Sequence, residues 1–335
     1  MRRRPDGCRR AHFDAQGFVM RFLIAVFLGL ALLAGIVVYV LNRPATGTEA
    51  PAEGALADSV DSPWWTDADR LVDVDGVRTR VRIEGPDDAP ALIMVHGFSH
   101  SLESWDAWAD ALSADYRVVR MDLPGHGLTG PDPQARYSVP QTVEFLDGLM
   151  GALEIDRATL IGNSLGGLVA WRQAAANPDR VDRLVLLSPG GFSINGVTED
   201  PVPVPMGVQF YLIQAPQPII TAATGALYGD PSAMPPGTAE RVLELMRGDG
   251  VGQAMVERLR VFTLPEPGAD LAQVQAPTLI MWGEADVIIP PAHGPQFATA
   301  IPDARLITYP GLGHVVHEEA PASTLADLRA FLVED

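Results

Sequence analysis

Five residues constrain this chain more tightly than any others. Gly162-Asn163-Ser164-Leu165-Gly166 follow the apolar run Ala158-Thr159-Leu160-Ile161 and precede a helix-like stretch over 168–176. A glycine at each end lets a strand turn sharply into a helix without a Cβ clash. The serine between them is then lifted over the sheet edge with its hydroxyl exposed. The N–H of Leu165 falls at the helix N-terminus, where it can face a developing negative charge. A Gly-rich strand-to-helix turn with an idle surface serine would carry the same five residues, so the remainder of the chain has to decide between them.

From about residue 69 strand-like and helix-like patterns alternate. The spacing predicts strands over 77–83, 91–95, 116–122, 158–162, 183–188, 277–282 and 305–309. It predicts helices over 102–112, 140–153, 165–176, 291–299 and 322–332. Short, wholly apolar strand runs belong to strands covered on both faces. The class is therefore α/β, a mostly parallel sheet with helices on each side. Between 192 and about 270 the alternation stops. This insert is rich in Pro, Met and Gly, has apolar stretches at 208–213 and 219–223, and is too long for a loop of a compact domain. It reads as a helical lid.

The N-terminal segment is of another kind. Residues 22–41, FLIAVFLGLALLAGIVVYVL, carry no charge. As a helix they would span roughly 30 Å, the thickness of a bilayer's hydrocarbon core. Arg2, Arg3, Arg4, Arg9, Arg10 and Arg21 precede them, and Arg43 alone follows closely. That asymmetry places the N-terminus in the cytoplasm and the body outside it. A cleaved signal peptide would have a shorter apolar core and small residues at a cleavage site, whereas this run ends in Val-Tyr-Val-Leu-Asn-Arg. The expected organisation is a basic cytoplasmic tail (1–21), a single transmembrane anchor (22–41), a flexible stalk (42–68) and a folded domain (69–335) that contains the lid. The expected location is the inner or plasma membrane, with the domain periplasmic or extracellular.

Charge and cysteine usage exclude several classes. The net charge is −18 and every basic residue is Arg. Residues 1–43 hold seven arginines against Asp6 and Asp14, a balance of +5, so the remainder carries −23. So acidic a body repels nucleic acid, and none is expected as a partner. Cys8, in the tail, is the sole cysteine. The body thus has no disulfide, thiolate nucleophile or thiolate metal site. No His-Glu-x-x-His spacing occurs, and neither a metal nor a cofactor is expected.

A serine hydroxyl is a poor nucleophile at neutral pH unless a base adjoins it. His314, in Gly311-Leu312-Gly313-His314, suits that task, because imidazole gives and takes protons near neutrality. A carboxylate must then hold the imidazole in one tautomer. Asp286 and Glu284, both in Trp282-Gly283-Glu284-Ala285-Asp286, compete for that role. From about residue 75 to 333 these blocks, taken in order, resemble a serine-dependent α/β-hydrolase. His96-Gly97-Phe98 follows a strand where that family has its first oxyanion loop. Asp122-Leu123-Pro124-Gly125-His126-Gly127 matches a structural turn of the family. The order serine, acid, histidine is the family's own. The resemblance favours Asp286 over Glu284, since the family's acid precedes a short apolar run and Pro, here Val287-Ile288-Ile289-Pro290. It implies a catalytic triad of Ser164, Asp286 and His314, with the backbone N–H groups of Phe98 and Leu165 as oxyanion hole.

The other histidines divide by position. His96 and His126 read as structural, and Asn163 as a residue that orients the turn. His100 reads as a loop residue, either solvated or within reach of substrate. His317 is a substitute base, His293 starts a surface helix and His12 lies in the tail. Among serine branches, the chain resembles membrane-associated monoacylglycerol lipases and bacterial lipase-esterases in His96-Gly97-Phe98-Ser99 and Pro189-Gly190-Gly191-Phe192. It also resembles the carbon–carbon bond hydrolases that act on ring-cleavage products, which share the Gly-Asn-Ser-x-Gly-Gly elbow. Those usually carry Gly-Pro-Gly in the oxyanion loop and an aromatic residue after the histidine, where this chain has Phe98-Ser99-His100 and Val315-Val316. The resemblance implies hydrolysis of carboxylic esters with medium or longer acyl chains, monoacylglycerols included, and the charge of −23 is expected to disfavour anionic substrates. Part of the apolar stretch 201–223 is expected to line the acyl pocket beside Phe98. A carbon–carbon hydrolase, or a non-catalytic binding protein on the same fold, is the alternative.

Overall fold

The computed structural model describes residues 60–334. The basic tail, the apolar run 22–41 and the stalk as far as residue 59 lie outside the described residues. Among those described, no helix is long and apolar enough to cross a membrane.

Eight strands form one sheet: β1 (Asp69–Val74), β2 (Val77–Glu84), β3 (Ala91–Val95), β4 (Arg117–Met121), β5 (Ala158–Asn163), β6 (Val181–Leu187), β7 (Thr278–Gly283) and β8 (Ala304–Tyr309). Their spatial order is β1-β2-β4-β3-β5-β6-β7-β8. β2 is antiparallel to both β1 and β4, and every other pairing is parallel. β3 therefore sits where the chain reverses its direction of travel across the sheet, with β4 on one side and β5 on the other. Crevices beyond the carboxyl ends of strands at such a reversal are where open α/β sheets bind ligands. The loops after β3 and β5 both open there.

The central strands are buried on both faces, and the alternation shows it. In β3, Ile93 and Val95 join one apolar cluster while Leu92 and Met94 join the cluster across the sheet. In β7, Ile280 and Trp282 face one side while Leu279 and Met281 face the other. Helices cover both faces: α1 (Asp106–Leu112), preceded by a 3-10 turn at Leu102–Trp105, α2 (Val139–Ala152), α3 (Leu165–Ala176), α9 (His293–Ala300), α10 (Val316–Glu319) and α11 (Pro321–Leu332). The start of α2 is written in the sequence. The Ser138 hydroxyl accepts from the Gln141 N–H, and the Gln141 side chain accepts from the Ser138 N–H, a reciprocal cap.

Two features differ from expectation. β1 was not anticipated. It pairs with β2 through the two-residue turn Asp75-Gly76, both at positive φ (51° and 82°), which is the turn chemistry of a tight hairpin. Second, the body extends N-terminally beyond residue 69. The Thr66 N–H donates to Asp69 Oδ2 at 2.8 Å, and the Trp64 carbonyl accepts from Arg82 at 3.2 Å and from Arg80. Arg80 is itself buried among Asp69, Glu103 and Asp122 at 3.0, 2.6 and 3.2 Å. Residues 64–66 are thus held by a paired, buried charge network, whereas a flexible stalk was expected to run to residue 68.

The insert between β6 and β7 is helical, as expected. It contains α4 (Met206–Gln214), α5 (Gln217–Gly225), α6 (Thr238–Met246), α7 (Val251–Arg260) and the short α8 (Gly268–Leu271). These helices bury a core of their own, with Leu212, Ile220, Val242, Met246, Met255 and Val256 among its members. Phe98 packs against both this cluster and the main core.

Candidate active site

The serine turn forms as its glycines allow. Ser164 sits between β5 and α3 at φ 56° and ψ −114°, a backbone conformation costly for a residue with a Cβ and one that persists where surroundings enforce it. Gly166 is required: a Cβ there would lie 2.0 Å from the Val95 carbonyl oxygen at the end of β3. Gly97 is required on the other side, since a Cβ there would meet Asn163 Oδ1 at 2.9 Å and Ser164 Cβ at 3.2 Å. The loop after β3 thus rests directly on the serine turn. Both carry the expected donors, the N–H of Phe98 and the N–H of Leu165 at the first position of α3. Among the described residues neither N–H has a protein acceptor.

The histidine and the acid meet across the strand ends. His314 Nδ1 and Asp286 Oδ2 are 2.8 Å apart, with side chains 5% and 0% exposed. Asp286 Oδ1 accepts the N–H groups of Ile288 and Ile289 at 2.8 and 3.0 Å. Burial alone would raise the pKa of this carboxyl. The His314 hydrogen bond and charge and the two backbone donors outweigh it and hold the group below the ordinary range. Glu284 points elsewhere. It is exposed and accepts the Thr308 hydroxyl at 2.8 Å. The structure brings Asp286 to His314 and leaves Glu284 outside. The pair is tied to the serine turn by Asn163, whose amide donates to the carbonyls of Leu187 and His314, both at 3.1 Å. Asp286 accepts the Nδ1–H, so His314 keeps Nε2 to exchange a proton.

Two side chains that hold this loop escaped the sequence reading. Glu319 accepts three backbone N–H groups, from Gly313 at 2.7 Å, Gly229 at 3.0 Å and Asp230 at 2.9 Å. Glu318 is buried and accepts the Tyr228 hydroxyl at 3.1 Å. The His314 N–H donates to the Leu227 carbonyl at 2.6 Å. The segment that follows the lid's α5, residues 227–230, therefore clamps the histidine loop. The only signal was a Glu-Glu pair following His317, and nothing in it told a loop clamp from a solvated pair.

The remaining histidines are structural in their contacts. His96 is fully buried. Its Nε2 accepts the Leu123 N–H at 3.0 Å, which places the proton on Nδ1, 2.7 Å from the Gly97 carbonyl. His126 lies edge-on to the rings of His96 and Phe98 at 5.3 and 5.6 Å. His100 is neither solvated nor among the residues lining the cavity at Ser164. It is buried, its Nδ1 is 3.2 Å from the Phe98 carbonyl, and burial drives its pKa down to about 3. His317 stacks on Trp105 at 4.2 Å and is 1% exposed. Burial keeps it neutral, and it does not replace His314 beside Asp286. His293 opens α9 at the surface and contacts Phe192 at 5.5 Å.

A cavity of about 170 Å³ opens at Ser164. Phe98, Leu165, Leu168 and Gly190 line it from the body, Ile288 and Ile289 from the acid loop, and Ile194, Arg258, Leu259 and Phe262 from the insert. The expected lining by 201–223 is not found. Phe210, Leu212, Ile213 and Ile220 pack in the lid's own core, Val202 packs on the main core and Met206 is exposed, while Arg258, Leu259 and Phe262 of the later strip line the cavity. A larger surface cavity of about 480 Å³, between α2, α3 and residues 263–265, does not include Ser164. Among the described residues no group of three His, Cys, Asp or Glu is placed to hold a metal ion.

A sheet with its serine turn at the reversal point, a buried His–Asp pair after the last strands and a helical lid define an α/β hydrolase fold. A family model described as alpha/beta hydrolase fold matches residues 90–321, and the chain belongs to that family. It is 31% identical over 289 residues to the dihydrolipoyllysine-residue acetyltransferase component of the acetoin cleaving system of Pseudomonas putida, covering 85% of this chain and 73% of that protein. It is 27% identical over 262 residues to a 2-hydroxy-6-oxo-6-phenylhexa-2,4-dienoate hydrolase of Burkholderia cepacia, 70% of this chain and 85% of the other. The crystal structure of a hydrolase from Pseudomonas aeruginosa PA01 is similar with a TM-score of 0.67 and 26% identity, over 79% of this chain and 97% of that one.

Proposed function

We propose that this protein is a serine hydrolase of carboxylic esters, acting through Ser164, His314 and Asp286. The observation that carries this reading is the buried 2.8 Å contact between His314 and Asp286, tied through Asn163 to the strained serine turn. In the reaction, Ser164 Oγ attacks the ester carbonyl carbon while His314 Nε2 takes the hydroxyl proton. The negative oxygen that develops is met by the N–H groups of Phe98 and Leu165, each worth roughly 3 kcal/mol by analogy with other such donors. His314 returns the proton to the departing alcohol. Water, deprotonated by the same imidazole, then cleaves the acyl-enzyme and frees the acid.

The cavity bears on acyl length. Its 170 Å³ is close to the ~150 Å³ apolar cavity that accepts a benzene ring, so a tail of about six carbons fits behind the ester carbonyl. Esters of medium-length acids are the proposed substrates, monoacylglycerols among them. Longer tails require the lid to give way. The test is labelling with a fluorophosphonate followed by hydrolysis of p-nitrophenyl esters of graded length and of a ring-cleavage dienoate. Labelling at Ser164 with ester turnover supports the reading. Dienoate turnover without ester turnover selects a carbon–carbon hydrolase, and a folded but unlabelled protein selects a binding protein.

A further inference from the structure

Two polar side chains behind the active site face each other with no partner between them. Glu318 lies on α10, four residues beyond His314, and His100 lies in the loop after β3, two residues beyond Phe98. Glu318 Oε1 and His100 Nε2 are 3.7 Å apart, with side chains 6% and 5% exposed. Among the described residues neither atom has a hydrogen-bond partner. The other carboxyl oxygen, Oε2, accepts the Tyr228 hydroxyl at 3.1 Å. The tautomer of His100 is fixed by its other nitrogen. Nδ1 lies 3.2 Å from the Phe98 carbonyl, which only accepts, so Nδ1 carries the hydrogen and Nε2 is a bare acceptor. An ionised Glu318 would set one buried acceptor against another. A single proton on Oε1, donated to Nε2, satisfies both.

His100 bears on the oxyanion loop twice. Its ring holds the Phe98 carbonyl, and its backbone N–H donates to the Gly97 carbonyl at 3.2 Å. The Gly97 carbonyl belongs to the same peptide as the Phe98 N–H, one of the two donors of the proposed oxyanion hole, and it also takes the His96 ring at 2.7 Å. Ser99, inside this turn, stands at φ 58°, a conformation that surroundings must enforce on a residue with a Cβ. The turn that aims the Phe98 N–H is thus closed by His100, and the ring of His100 faces a carboxyl of the histidine loop. Other groups surround that carboxyl. His317 Nε2 lies 3.9 Å from Oε1, but its ring stacks on Trp105 rather than on the turn. Arg241 of α6, 3.9 Å from Oε2, favours the ionised form, and the charge of Asp106 on α1 opposes it. Burial outweighs Arg241 and raises the Glu318 pKa to about 7, while burial lowers that of His100, so the proton rests on Glu318.

We propose that a proton shared by Glu318 and His100 fastens the oxyanion turn to the histidine loop, which makes both of them positioning residues for the Phe98 N–H. The proposal rests on the serine-hydrolase reading and adds a condition to it. With the proton in place, the Phe98 donor and the loop that carries His314 are held together. When Glu318 ionises, its oxygen repels the Nε2 lone pair, His100 withdraws from the turn and the donor loses its aim. The link is complete well below pH 7 and is lost as the pH rises through about 7. His314 has the opposite requirement, because it must be neutral to take the serine proton. Activity therefore passes through a maximum instead of levelling off at alkaline pH.

The experiment follows the second-order rate of Ser164 labelling by a fluorophosphonate between pH 6 and 9. That reaction places a phosphoryl oxygen in the same hole and needs no knowledge of the ester substrate. Circular dichroism at each pH confines the rates to folded protein. The unmodified protein should lose roughly tenfold between pH 7 and 9, less than the full removal of one oxyanion donor. Glu318→Gln, whose amide donates to Nε2 at every pH, should keep at pH 9 the rate it has at pH 7. His100→Phe should already be slow at pH 7 and fall no further. His317→Phe, which keeps a ring on Trp105, should still show the fall. A rate of the unmodified protein that levels off or rises up to pH 9 overturns the proposal and leaves the serine hydrolase intact, and this decides even where a variant does not fold. Equal falls in the unmodified protein and Glu318→Gln, or loss of the fall in His317→Phe, also overturn it. A folded protein that is never labelled removes the hydrolase reading and this proposal together.

Discussion

At the scale of single residues, Ser164 and His314 form one unit in the proposed reaction. Ser164→Ala should lower kcat by about 10⁴-fold or more with little change in stability, and His314→Ala should be comparably damaging. Asp286→Asn should cost less, because the imidazole remains but loses the acceptor that sets its tautomer. Glu284→Gln should leave kcat within about twofold, since Glu284 binds the exposed Thr308 hydroxyl instead. Steady-state kinetics check all four, and a larger loss for Glu284→Gln than for Asp286→Asn would reassign the acid. The choice of acid was legible in part, because a carboxylate before a short apolar run and a proline stood out. What adds to it is geometric: Asp286 Oδ1 takes two backbone N–H groups of that same apolar run, and Oδ2 lies 2.8 Å from His314 Nδ1. Glu318 gives a second test at this scale. Burial pushes its pKa up to about 7 from an ordinary 4.5, despite Arg241 and the Tyr228 hydroxyl beside it; His100 and His317 also face it, at 3.7 and 3.9 Å, and Asp106 adds a repulsive charge. A carboxyl with a raised folded pKa binds its proton more tightly when folded. Its contribution is complete below about pH 4.5 and is lost as the pH rises through about 7. Relative to Glu318→Gln, the unmodified protein should lose about 3 kcal/mol of stability between those limits. Urea denaturation at pH 5 and 8 measures this, and parallel pH profiles of the two proteins would refute it.

At the scale of elements, what the sequence made readable follows burial. β3, β5 and β7 were plain because both faces are covered, so nearly every residue is apolar and the exceptions, Thr159, Asn163 and Thr278, are themselves buried. β1 was missed because its burial is uneven, with Arg70 and Asp73 exposed. Yet Asp75-Gly76 between two alternating runs marks the hairpin that carries it. The lid was readable as a helical insert but not in its internal roles. Part of the apolar stretch 201–223 was expected to line the pocket, whereas its helical residues, Leu212 and Ile220 among them, feed the lid's own core. A run of apolar residues states that something must cover it, and helices folding on one another satisfy that as well as a substrate does. The wall belongs to the end of α7 and the residues after it, where Leu259 and Phe262 face the cavity. Leu259→Trp should therefore fill the acyl site. It is expected to lower kcat/KM for hexanoyl esters by roughly 10- to 100-fold while acetyl esters fall less than about threefold, on the basis that each buried methylene is worth ~0.8 kcal/mol. An equal fall for both chain lengths would place the acyl tail elsewhere.

At the scale of the whole molecule, we propose that the N-terminal segment sets where such a hydrolase meets its substrate. Residues 22–41 are uncharged and long enough to cross a bilayer as a helix, and six arginines precede them. The proposal from that pattern is a protein tethered once through the inner or plasma membrane, with residues 60–334 on the outer side. The chain between residue 41 and the first residues held by Arg80 and Arg82 is composed largely of Ala, Gly, Thr, Glu, Pro and Asp. On that proposal residues 60–334, with a net charge of −19, would be repelled by anionic headgroups and would meet neutral esters that partition into the interface. A reporter active only in an oxidising outer compartment, fused after Asp335, should be functional, and one active only in the cytoplasm should be silent. Replacing Arg2, Arg3, Arg4, Arg9 and Arg10 with Asn should weaken that bias and raise the cytoplasmic signal. If the mature N-terminus instead maps beyond Leu41 and the protein is released by osmotic shock alone, the segment is a cleaved leader. The hydrolase then works as a soluble exported enzyme, free of the constraint that its substrates share a bilayer with it.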